Sequence, residues 1–160
     1  METEAVFERG SDGRGVMRGV IVVGIDGSEA AWRAAAYAAG LARRQGSGLA
    51  LVYVQTANAL AAAVGLGPSV AETAARTAEQ IEREVRQGAE GIERAGGSIQ
   101  ISWEFHTFPG DVFNGLSNLA VDLRADAIVV GACHGLCHRF LGSPSLRLVK
   151  AGRCPVIVVP

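Results

Sequence analysis

From Gly19 onward the chain alternates between short, continuous apolar runs and longer stretches whose apolar residues recur at helical spacing. Val20 to Ile25 is unbroken and apolar, as befits a strand covered on both faces. Asp26, Gly27, Ser28 and Glu29 interrupt it, and Ser28 is placed to cap a helix from about Glu29 to Arg44. In that helix Trp32, Ala35, Ala36, Ala39 and Ala42 form a small-residue face able to lie close on a sheet, and Gly46 and Gly48 end it. Leu49 to Val54 reads as the second strand. A long apolar connection follows, Gln55 to Ser69, of the length that lids and binding elements use. Val70, Ala74, Ala78, Ile81, Val85, Ala89 and Ile92 then mark a helix that Gly96 and Gly97 stop. Ile99 to Phe105 alternates as a third strand, and Asp111 is placed to cap a helix bearing Val112, Leu116, Leu119 and Leu123. Asp126 to Gly131 is the fourth strand, Ser143 to Ala151 a short helix, and Pro155 to Val159 the fifth strand.

Five strands interleaved with four helices predict an α/β fold: a doubly wound five-stranded parallel sheet of order 3-2-1-4-5, with helices on both faces. The domain is expected over 18–160. Residues 1–17 show no periodicity and carry three glycines, which predicts a disordered tail. In this strand order the first and fourth strands lie side by side, and ligands collect beyond their C-terminal ends. Those ends are Asp26 to Ser28 and Gly131 onward, so two unusual segments converge on one crevice.

Composition narrows the class without naming a chemistry. Charge is sparse and balanced, at 19% charged residues and a net charge of −1, so the basic footprint of a nucleic-acid binder is missing. No apolar run approaches the roughly 20 residues of a membrane span, and residues 1–16 do not read as a signal peptide. A cytoplasmic location is expected, with no membrane partner. Three cysteines in such a chain argue for free thiols over a disulfide framework.

The segment after the fourth strand carries the candidate chemistry. Gly131 leads into a loop that ends in Gly142, Ser143, Pro144 and Ser145 at the start of a helix, where backbone N–H groups favour phosphate. The same loop holds Cys133, His134, Cys137 and His138. Four ligands crowded into six residues rarely close a tetrahedron around one ion, and Gly135 interrupts any helix between them. Thiols at Cys133 and Cys137 near a helix start suit redox chemistry better, while His134, His138 and Arg139 suit an anionic ligand. Asp26 can accept from a ribose hydroxyl or hold a metal on a phosphate, the reading its place in the crevice favours over that of a turn or capping residue before Gly27. Trp32, Trp103 and Phe105 read as core, His106 as a surface histidine. Neither a nucleophile elbow nor a Walker motif is present, so no dedicated catalytic constellation is visible.

These residues resemble the universal stress protein family. The likeness runs from about Val20 to Pro160: the first strand ending in Asp26, Gly27 and Ser28, the fourth ending in Val130 and Gly131, then Gly142, Ser143 and Ser145, and a closing apolar strand after Cys154 and Pro155. ATP-binding members carry Gly, two residues, Gly, nine residues, then Gly-Ser or Gly-Thr. By resemblance Gly131 matches the first glycine, Gly142 and Ser143 the last pair, and Ser145 the hydroxyl residue beyond. Asp26 matches the acidic residue near the nucleoside, and Tyr53 with Val54 the strand end that meets adenine. This chain departs from the pattern in having ten residues between Gly131 and Gly142 instead of twelve, with His134 where the middle glycine stands and Gly135 one place late. Pro144 adds a second departure, because it has no N–H to offer a phosphate.

The resemblance implies an adenine-nucleotide binder in a stress or regulatory role, taking ATP with or without magnesium, and no enzyme beyond a slow ATPase. The expected nucleotide contacts are Asp26, Gly27, Ser28, Tyr53, Val54, Gly131, Ala132, His134, Gly135, Gly142, Ser143 and Ser145. It also implies a homodimer through the last strand, where Val156, Ile157, Val158 and Val159 form an apolar edge that calls for covering. Two alternatives stay open: a dimeric adaptor that works by contact with an unknown protein partner, and a thiol redox or metal sensor built on Cys133 and Cys137.

Overall fold

A computed structural model describes residues 19–56, 68–94, 101–132 and 144–160. The elements run β1 (Val20–Gly24), α1 (Glu29–Gln45), β2 (Gly48–Gln55), α2 (Pro68–Arg94), β3 (Trp103–Pro109), α3 (Val112–Asp122), β4 (Ala127–Gly131), α4 (Pro144–Ala151) and β5 (Val156–Val159). All strand pairs are parallel and the order is β3-β2-β1-β4-β5, as the alternation predicts.

The sheet divides the core in two. Ile21, Val23, Leu49, Leu51 and Val129 face α1 and α2, while Val22, Ala50, Val52, Val54, Ile128 and Val130 face α3 and α4. This is the period of two that a strand imposes on its side chains. Gly46 ends α1 in the left-handed conformation, at φ 69°, with its N–H on the carbonyl of Ala42. Ser28 and Asp111 cap α1 and α3 as expected, accepting from the N–H groups of Ala31 and Asn114. No helix among the described residues is long and apolar enough to cross a membrane.

Two expectations are corrected. The third strand runs from Trp103 to Pro109 instead of Ile99 to Phe105, because β2 offers eight residues and β3 pairs with it from Leu49–Trp103 to Gln55–Pro109. Pro109 can close that strand because β3 lies at the sheet edge. In α1 Ala31, Ala34, Ala38 and Ala42 are buried and Trp32, Ala35 and Ala39 pack against the same cluster, so only Ala36 of the expected face is displaced, to the exposed side. Alanine covers nearly the whole circumference of this helix, so its pattern leaves the rotational phase open.

Candidate functional site

The helices that follow β1 and β4 in the chain lie on opposite faces of the sheet, α1 on one and α4 on the other. A crevice of about 420 Å³ opens between them. Its walls on the α3 side are apolar: Val52 and Val54 from β2, Val130 from β4, Val112 and Leu116 from α3. Polar groups gather at the rim, with Asp26, Ser28, Glu29 and Arg33 from the β1–α1 corner and Ser145 from the first turn of α4.

The β1–α1 corner is built by its own sequence. Gly27 adopts φ 83°, which turns the chain back so that the N–H of Ser28 donates to Asp26 Oδ1 at 2.9 Å. Ser28 Oγ in turn accepts from the N–H of Ala31 at 3.2 Å and keeps its own hydroxyl proton for a further partner. Asp26 therefore holds the turn and also stands exposed at the crevice; the two readings of this residue are compatible.

Gly131 shapes the other side. A β-carbon there would lie 2.5 Å from the Ala30 carbonyl carbon and 2.8 Å from the Ala31 nitrogen. Those are backbone atoms of the first turn of α1, so only glycine lets the helix start press against the end of β4. Ala132 follows it into the rim, but its N–H donates to the carbonyl of Val159 at 2.6 Å and serves the sheet. Pro144 is the first residue of α4, the helical position at which its missing N–H is tolerated.

The model of the Universal stress protein family matches residues 17–160. The chain belongs to the universal stress protein family. Solved structures agree on the fold: the universal stress protein UspA from Lactobacillus plantarum superposes with a TM-score of 0.70 at 23% identity, over 91% of this chain and 100% of that one. A universal stress protein family member from Burkholderia pseudomallei gives 0.63 at 27% identity, covering 92% and 99%. The universal stress protein from Archaeoglobus fulgidus solved in complex with dAMP gives 0.59 at 19% identity, covering 91% and 100%. No curated protein matches the chain in sequence.

Within this universal stress protein fold, the expected contact residues Asp26, Ser28, Val54, Gly131, Ala132 and Ser145 meet at one crevice. Gly27 and Tyr53 are not part of its lining. Tyr53 and Val54 are consecutive in β2, so they face opposite sides of the sheet, and only Val54 faces α3. Tyr53 packs instead with the α1–α2 layer; its hydroxyl pKa is raised by burial and, secondarily, by the negative charge of Asp26. His134, Gly135, Gly142 and Ser143 lie outside the described residues, as do Cys133, Cys137, His138 and Arg139.

Sequence reasoning missed Val52, Val112, Leu116, Val130, Glu29 and Arg33 as lining residues. Strand parity was the available signal for Val52 and Val130, which share a face with Val54. Glu29 and Arg33 belong to the exposed side of α1, and their Oε1 and Nη1 lie 2.9 Å apart; Arg33 Nε also donates to the Pro160 carbonyl at 2.9 Å.

Two other candidates take structural places. His106 lies in the middle of β3 and is largely buried, with Nε2 3.3 Å from Glu104 Oε2 and its ring stacked on Phe108, so it is not the lone surface histidine expected. Its neighbours on alternate strand positions, Glu104 and Phe108, explain the burial. The Cys154 thiol lies 3.4 Å from the Ala125 carbonyl, and its pKa is raised by burial first and by Asp126 second. Such a thiol is poorly nucleophilic. Among the described residues no three His, Cys, Asp or Glu side chains come close enough to hold a metal ion.

Proposed function

We propose that this protein is a cytoplasmic adenine-nucleotide binder, taking ATP or a related nucleotide at the β1–β4 crevice as a regulatory ligand in a stress response. The observation that carries the reading is the crevice itself: an apolar wall of Val52, Val54, Val112 and Leu116 facing a rim that holds Asp26 beside the glycine-opened end of β4. The residues present suit such a ligand. The valines and Leu116 would cover a flat base, Asp26 would accept from a sugar hydroxyl, and Ser145 would donate towards a phosphate. The Archaeoglobus fulgidus protein, which shares the fold, was solved in complex with dAMP, and this supports an adenine nucleotide as the class of ligand. The protein acts by binding, with turnover no faster than a slow ATPase, and two copies pair through β5.

Calorimetric titration with ATP, ADP and AMP, each with and without magnesium, tests the reading. Saturable binding is expected, and Asp26→Asn should weaken it about tenfold, because asparagine keeps the turn but loses the charged acceptor. No binding at millimolar nucleotide would overturn it. The adaptor reading has one observation in its favour: Pro144 removes a backbone donor from the first turn of α4. An adenine nucleotide released when freshly purified protein is denatured would decide against that alternative.

A further inference from the structure

Arg33 is the one positively charged side chain among the described residues that line the crevice. It stands one turn into α1, half exposed, and two contacts orient it: Nη1 lies 2.9 Å from Glu29 Oε1, and Nε donates to the Pro160 carbonyl at 2.9 Å. A guanidinium carries five N–H donors in a rigid plane, so these two contacts fix its orientation and leave other donors unspent. The remainder of the described rim offers a negative charge the neutral hydroxyls of Ser28 and Ser145 but no second cation. Asp26 and Glu29 are carboxylates, the Ala132 N–H is taken by Val159, and Pro144 has no N–H. An anion entering this rim meets two like charges, and the Arg33 guanidinium is the cation placed to offset them.

We propose that Arg33 is the charged partner of the phosphate in the described crevice, acting beside the Ser145 hydroxyl, and that Glu29, held against it, opposes the same phosphate. The proposal rests on the nucleotide reading of the crevice and adds to it. It assigns the anion-binding task to a side chain of α1, outside the glycine-rich segment, and makes the phosphate preference depend on the balance between two neighbouring charges. The pair is solvated, so the effect belongs to the ligand's charge and should fade with added salt.

The test titrates adenosine, AMP and ATP into the full chain and into Arg33→Gln, Arg33→Lys and Glu29→Gln at low ionic strength. Arg33→Gln should weaken AMP about tenfold, the scale of one charged hydrogen bond, while adenosine stays within about twofold. Glu29→Gln should move AMP the other way, strengthening it by about two- to fivefold through loss of a like charge. Arg33→Lys should fall between, since an ammonium keeps the charge without the fork. Because Arg33 also holds Pro160, a purely structural role would lower adenosine and AMP affinity together, and that result overturns the proposal. So does an unchanged AMP-to-adenosine ratio in all three variants. A wild-type protein that binds none of the ligands overturns the nucleotide reading and this assignment with it; wild-type binding with an unaltered ratio in the variants removes the assignment alone.

Discussion

Gly131 shows how much of the site depends on the absence of one side chain. Its hypothetical β-carbon meets the carbonyl carbon and oxygen of Ala30 at 2.5 and 2.6 Å, and neither atom belongs to a flexible group that could swing aside. Gly131→Ala should therefore push α1 away from β4 and destabilise the domain by about 1–3 kcal/mol, the usual cost of overpacking. The midpoint of a urea transition measures it, and nucleotide affinity should fall as well because Ala30 and Ala31 line the crevice. Tyr53 offers a second residue-scale test, through pH. Its pKa is raised by burial and then by Asp26, so folding favours the neutral phenol. The sign follows from linkage: the folded protein retains the proton where the unfolded chain has begun to lose it. The contribution of Tyr53 is complete below its ordinary pKa of about 10 and is lost as pH climbs through the higher folded value. Stability measured by urea titration should fall more steeply above about pH 10 in the wild type than in Tyr53→Phe. Parallel slopes for the two proteins would show that the phenol is not protected.

At the scale of elements, what the sequence made legible followed from periodicity and caps. β1 and β4 are continuous aliphatic runs bounded by Asp26 and by Asp126, and their ends mark the crevice in the sequence itself. The helix starts at Ser28 and Asp111 were visible because a side-chain acceptor before an apolar pattern satisfies an orphan N–H. β3 was misplaced towards Ile99 because alternation alone does not set register; the pairing with the eight residues of β2 does. Tyr53 and Val54, paired by the family pattern, point to opposite faces of β2, and of the two only Val54 lines the crevice. Glu29 and Arg33 were missed because charged residues on the outer side of an alanine-rich helix carry no periodic signal of a site. The Asp111 cap gives the test at this scale. Its Oδ1 accepts from the Asn114 N–H at 3.1 Å, while Oδ2 meets Arg147 Nη1 at 2.8 Å across to α4. That ion pair is roughly half exposed and contributes little, so the cap should dominate. Asp111→Ala should cost about 1 kcal/mol in urea unfolding, whereas Asp111→Asn, which keeps an acceptor, should stay within about 0.5 kcal/mol of wild type.

The whole molecule presents two sheet edges, and they are not equivalent. β3 closes on Pro109 and carries the Glu104–His106 pair along one face, features that discourage a further strand. β5 consists only of Val156, Ile157, Val158 and Val159, with no charge, proline or bulge to blunt it. Val158 is 45% exposed, and the neighbouring α4 exposes Leu146 and Val149 at 49% and 54%. An aliphatic edge strand that none of the described residues pairs with on its outer side is a template for pairing, and in a dimer with two-fold symmetry the same four residues would meet their own copies. Val158→Lys places a charge on the exposed face of that strand without touching the crevice, whose lining includes no residue of β5. Sedimentation equilibrium should then show a dimer for the wild type and a monomer for the variant at micromolar concentration. Nucleotide titration should give the variant an affinity within about twofold of wild type, since its crevice is unaltered. A wild-type protein that sediments as a monomer would remove the β5 pairing, and a Val158→Lys variant that remains dimeric would move the interface elsewhere. Loss of nucleotide binding together with the dimer would have a different meaning. Arg33 is bonded to Pro160, the residue that follows β5, and that contact is the physical route by which an event at the edge would reach the rim.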